Sequence, residues 1–198
     1  TALTSTSDEE LTGTAAFDAG ESAMPSWGEL VAEHADGVYR RDLAALEETI
    51  EATGARLLLL CNPHNPTGTV LTSEELALLA EVAVAHDLLV VTDEVYEHLR
   101  YDGAHLSLAA GASSSMLEPE LAEQVRERTL VVSSASKSLQ VTGWRIGWVS
   151  GPADLISGVS AVKTYLSHSA AAPLQKAVAA GLRDLQTLYW LGKYIHQV

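Results

Sequence analysis

One cysteine, one phenylalanine and two methionines stand in 198 residues. A single thiol, Cys61, can close no intrachain disulfide, which suits a reducing compartment such as the cytoplasm. Cations are scarce as well: 12 Lys+Arg face 26 Asp+Glu, for a formal charge of −14. Binding nucleic acid needs clustered cations to neutralise phosphates, so no such partner is expected. No stretch has the roughly 18 uncharged apolar residues of a membrane span, and no secretory pattern opens the chain. Neither membrane insertion nor export is expected. What is present is 47% hydrophobic residues, enough for one sizeable core.

Residues 1–30, TALTSTSDEELTGTAAFDAGESAMPSWGEL, carry little pattern and read as an irregular segment. LAALEETIEATG then predicts a helix over about 43–53, ended by Gly54. RLLLLC (56–61) is a continuous apolar run, as in a strand buried on both faces. NPHNPTG follows and cannot be helical. Thr72 with Glu75 three residues on predicts a capping box and a helix reaching about His86. LLVVT (88–92) reads as a second buried strand. Strand, helix, strand at this spacing is a parallel crossover unit. Residues 106–128 predict a loop and a short charged helix. TLVVS (129–133) and WRIGWVS (144–150) read as further strands. Pro152 opens a helix to about Ser167, and Pro173 another to about Trp190. Trp144 and Trp148 would share one side of the last strand, and Gly143 and Gly147 suggest close backbone approach.

Polar residues cluster where the strands end. Asn65 follows the first strand, Asp93 and Tyr96 the second, and Ser134 and Lys137 the third. In open α/β sheets ligands bind outside the carboxyl ends of the strands. A carboxylate, an amine, a phenol, a carboxamide and the guanidinium of Arg145 could together hold a ring nitrogen, an aldehyde, a ring hydroxyl and a phosphate. Pyridoxal 5′-phosphate carries all four, and it is an electron sink that a protein must orient.

CNPHNPTG, DEVYEHL and SSASKSLQVTGWRIGW, in this order along the chain and with this spacing, resemble the fold type I, class I/II aminotransferases. The resemblance is strongest over 56–105 and 128–180, on the branch that holds kynurenine, glutamine and N-succinyldiaminopimelate aminotransferases. It implies an α/β fold, a three-layer αβα arrangement with a mostly parallel sheet, with residues 31–198 as part of the cofactor-binding large domain. It implies transfer of an amino group between an amino acid and a 2-oxo acid. Lys137 would form the Schiff base with the cofactor and then shuttle a proton. Asp93 would pair with the pyridine nitrogen. Tyr96 and Asn65 would hydrogen-bond the ring oxygen, and Ser134 and Arg145 would bind the phosphate. The Asn65–Pro66 bond is a candidate cis peptide. Family enzymes act as homodimers.

Each residue also has an ordinary reading. Lys137 could be a surface lysine, and Asp93 could cap a turn. Tyr96 could be a core aromatic, Asn65 could serve its turn, and Arg145 could pair with one of many carboxylates. His64 and His98 have no ligand partner at metal spacing, so no metal is expected and both are read as surface or supporting residues. Cys61 reads as a packed small hydrophobe. The resemblance finds no match for the family's phosphate-cradling N-terminal segment, and the C-terminal small domain, with the arginine that clamps the substrate carboxylate, is not expected within residues 1–198; Phe17 is a candidate stacking residue. Two other readings stay open: a carbon–sulfur β-lyase on the same scaffold, and a non-catalytic domain.

Overall fold

The computed structural model describes residues 43–100, 103–110 and 117–184. The readings of residues 1–30, of Phe17 and of a helix continuing past 184 lie outside the described residues. The chain divides into two compact units, Thr1–Ala55 and Arg56–Val198. The described part of the first is helix α1 (Leu43–Thr53). Gly54 ends it at φ 66°, in the left-handed region open to glycine, with its N–H on Ile50 O at 2.8 Å.

The second unit begins with β1 (Leu57–Cys61), α2 (Ser73–Ala85) and β2 (Leu89–Asp93). There follow α3 (Pro119–Arg126), β3 (Thr129–Ser134) and the single turn α4 (Ala135–Ser138). A 3-10 turn (Thr142–Trp144) leads to β4 (Gly147–Ser150), then α5 (Ala153–Leu166) and α6 (Ala172–Arg183). The fold is α/β with a mostly parallel sheet in the order β1-β2-β3-β4. β1, β2 and β3 run parallel, and β4 is antiparallel to β3.

Local chemistry explains these elements. Thr72 caps α2 by accepting from Glu75 N, and Glu75 Oε2 accepts from Thr72 N, so two otherwise orphan donors are satisfied. α2 buries Leu76, Leu79, Ala80, Val82 and Ala83, and α3 buries Ala122 and Val125. The two helices pack on each other. Thr129 at the start of β3 donates to Val125 O at 2.6 Å, which fixes α3 to the sheet.

Strand register decides the faces. Cys61 pairs with Asp93, and Asp93 with Val132, so three carboxyl ends lie side by side. Alternation places Leu60, Val90, Thr92, Thr129 and Ser133 on one face, all buried. The other face bears Leu57, Leu59 and Leu89, which are 54%, 59% and 43% exposed. The expectation that RLLLLC is buried on both faces is therefore corrected. An unbroken apolar run reports hydrophobicity on both faces, not what covers each. Asp93 and Ser134 belong to this second face, by the same alternation.

The strand expected over 144–150 is also shorter. Trp144 closes the 3-10 turn, and Arg145 adopts φ 55° before β4 begins at Gly147. Trp144 is exposed, whereas Trp148 packs against the buried cluster of Ala135, Ile146 and Val178. The two indoles therefore do not share a strand face. Of the two glycines, Gly147 makes the close approach: a Cβ there would lie 2.9 Å from Ser133 O. Gly143 has open space.

Candidate active site

Asn65 lies in the NPHNPTG loop, where both the Asn62–Pro63 and the Asn65–Pro66 bonds are cis. The loop is held from beneath by buried Asn62. Its Oδ1 accepts from Leu71 N at 2.9 Å and its Nδ2 donates to Leu106 O at 3.2 Å. His64 shares a hydrogen bond of 2.8 Å with Thr67 Oγ1. Asn65 itself is exposed and helps line a cavity of about 470 Å³ with Pro63, His64, Pro66, Tyr96 and Arg100.

Asp93 is the last residue of β2, flanked by Cys61 and Val132. Its Oδ1 accepts from Val95 N at 3.1 Å, which turns the chain at once after the strand. Tyr96 follows one turn later. Lys137 Nζ lies 5.7 Å from the centre of the Tyr96 ring, within the range of a cation–π contact. Ser134 ends β3 and caps α4, its Oγ accepting from Ser136 N at 3.2 Å. α4 then carries Lys137, half-buried.

Arg145 is brought to the same region by the backbone. Ser134 pairs with Gly147, and Ala135 N donates to Ile146 O at 3.0 Å. Thr142 Oγ1 donates to Ser136 O at 2.9 Å, folding the 139–146 loop over α4. The Arg145 guanidinium is exposed and its Nη1 reaches Thr142 O at 3.4 Å. Left-handed backbone at a non-glycine residue costs on the order of 1–3 kcal/mol and gathers at functional positions. Asn65 and Tyr96 thus share one cavity, and Tyr96 meets Lys137. Asp93, Ser134, Lys137 and Arg145 do not line that cavity.

Charge pairing adds a second observation. The chain has 26 acidic side chains. Yet among the described residues neither Lys137 nor Arg145 forms an ion pair with any of them. Only Arg126 and Arg128 among the described Lys and Arg side chains are in an ion pair, so this leaves Lys137 and Arg145 available to an anion without setting them apart. Among the described residues no group of three or more His, Cys, Asp or Glu side chains could hold a metal ion.

Two polar nodes lie beside these residues; of their members the sequence singles out His98, as a surface or supporting residue, and not Glu94 or Glu97. Glu94 is 2% exposed, on the side of the chain opposite Asp93. Its Oε1 accepts from Thr92 Oγ1 at 2.9 Å and Ser107 Oγ at 2.8 Å, and its Oε2 meets His105 Nε2 at 2.7 Å. This ties the 103–110 segment under the end of β2. Glu97 Oε1 accepts from Ser133 Oγ at 2.6 Å, and His98 Nδ1 lies 2.8 Å from Ser138 Oγ. The acid after Asp93 was the only available signal for the first node; nothing local marks its partners.

Comparison with known proteins bears on this arrangement. The family model for aminotransferase class I and II matches residues 33–196. "Probable N-succinyldiaminopimelate aminotransferase DapC" of Mycobacterium tuberculosis is 52% identical over 128 residues, 64% of this chain and 30% of that protein. Aspartate aminotransferase of Geobacillus stearothermophilus is 39% identical over 128 residues, 64% of this chain and 29% of that protein. Among solved structures, N-succinyldiaminopimelate aminotransferase from Mycobacterium tuberculosis superposes with a TM-score of 0.70 at 43% identity, covering 81% of this chain and 38% of that one. The chain spans about 30% of the length of the curated relatives it matches.

Proposed function

The chain belongs to the class I and II aminotransferases, and from that premise we propose that residues 31–198 form part of the large domain of a pyridoxal 5′-phosphate-dependent enzyme. It moves an amino group between an amino acid and a 2-oxo acid. The observation that carries the reading is the meeting of Lys137 with Tyr96, one turn beyond Asp93 at the carboxyl ends of parallel strands.

The donor set fits the cofactor in chemistry. Asp93 would hold the ring nitrogen and keep a proton there. Tyr96 and Asn65 would donate hydrogen bonds to the ring oxygen. Ser134 and the planar fork of Arg145 would take the phosphate, and among the described residues no carboxylate is in an ion pair with Arg145. Lys137 supplies the amine that would hold the aldehyde. When bound, pyridoxal phosphate supplies an electrophilic carbon and a ring that withdraws electrons. The freed Lys137 amine would then carry a proton between the substrate α-carbon and the carbon that bore the cofactor's aldehyde, with Tyr96 beside it to orient the Nζ.

The working enzyme is proposed to be a cytoplasmic homodimer with small amino and oxo acids as its partners; the single thiol fits a reducing compartment. The first test is spectral. Titrating the protein with pyridoxal phosphate should raise a saturable visible absorption band, and Lys137→Ala should remove it. A protein that binds the cofactor equally well as Lys137→Ala, or raises no band at saturation, would overturn the proposal.

A further inference from the structure

The segment after Asp93 touches the Lys137 turn through three consecutive side chains. Tyr96 places its ring 5.7 Å from Lys137 Nζ. Glu97 Oε1 accepts from Ser133 Oγ at 2.6 Å, across 36 positions of sequence. His98 Nδ1 lies 2.8 Å from Ser138 Oγ, across 40 positions. His98 Nδ1 is also 3.8 Å from Glu97 Oε1, so acid and imidazole form one connected unit. We propose that Glu97 and His98 are positioning residues: a clamp that sets the Lys137 amine against the Asp93–Tyr96 segment while touching neither the amine nor the carboxylate of Asp93. The inference rests on the functional reading above and deepens it.

Three features support the clamp. The two serines straddle Lys137, one before α4 and one at its last residue. Both are buried, at 3% and 1% exposure, so each hydroxyl has lost water and needs a protein partner. Each finds that partner on the 93–98 segment, although Ser133 sits in a strand and Ser138 in a helical turn. The bond to Glu97 is of the short, charge-assisted kind that fixes geometry well. α4 is only four residues long, Ala135–Ser138. Its own backbone bonds, Leu139 N to Ala135 O at 3.0 Å and Gln140 N to Lys137 O at 3.2 Å, cannot set its distance from β2. One small ring must meet the amine and the acid at once, and misplacement by about 1 Å can cost on the order of a hundredfold in rate.

The test has two arms. In cofactor-free protein, amide hydrogen exchange at Leu139 and Gln140 should accelerate about tenfold or more in Glu97→Ala with His98→Ala, while the melting curve of the whole chain stays cooperative. In the presence of pyridoxal phosphate, the same chain should bind about tenfold or more weakly. Glu97→Gln with His98→Gln, which keeps an acceptor and a polar amide at the two places, should recover most of both effects. If the alanine chain fails to fold, Ser138→Ala breaks the clamp from its other side and should show both effects in smaller measure. Unchanged exchange, or faster exchange with unchanged cofactor affinity, would overturn the clamp. A wild-type chain that takes up no cofactor would overturn the functional reading alone, and the exchange arm would still decide whether Glu97 and His98 hold the turn.

Discussion

Glu94 shows how much one buried side chain can govern. It is held by three donors, from Thr92, Ser107 and His105, in a place almost closed to water. Removing the carboxylate would strand three polar groups in the interior, and buried groups left without a partner cost about 1–3 kcal/mol each, on the order of 3 kcal/mol here. Glu94→Ala should therefore lower stability by about that amount in urea unfolding. Glu94→Gln should lose less, because one oxygen remains for Thr92 and Ser107. A loss below about 0.5 kcal/mol in the alanine variant would contradict the role drawn for this node. The contrast with Asp93 is instructive. Neighbouring acids point to opposite sides of the chain, one toward the open sheet face and one into the interior. The first is left with few protein partners, and the second is saturated.

Among the elements, β1 divides its residues most sharply. Leu60 is 5% exposed and Leu59 is 59% exposed. Leu60→Ala should cost about 2–5 kcal/mol by leaving a cavity, whereas Leu59→Ala should cost less than about 1 kcal/mol. Equal losses in thermal unfolding would mean that both faces are packed. That distinction was not legible in LLLLC, since both faces carry the same residue type. The crossover β1–α2–β2 was legible, because Thr72 and Glu75 form a local signal and the apolar spacing of α2 follows its period. The strand ends that carry Asn65, Asp93, Tyr96, Ser134 and Lys137 were legible for the same reason: period, punctuation and polar residues coincide in sequence. The start of β4 was not. Arg145 takes a left-handed backbone that its residue type does not announce, so an apolar string around it read as strand. The bonds from Glu97 and His98 to Ser133 and Ser138 were hidden too, because they join positions that only the fold makes neighbours.

At the scale of the whole molecule, the candidate site is assembled from three separated stretches of the Arg56–Val198 unit: the cis-proline loop, the end of β2, and the β3–α4 turn with the loop after it. The parallel register is what brings them together, since it aligns Cys61, Asp93 and Val132 at one edge. Everything functional then turns on whether Lys137 bonds a carbonyl cofactor. Borohydride reduction of the protein with pyridoxal phosphate, followed by proteolysis and mass mapping, addresses this directly. The phosphopyridoxyl mass should appear on the peptide bearing Lys137 and be absent from Lys137→Ala. The same mass spread over the surface lysines Lys163 and Lys176, with none at Lys137, would contradict the central claim.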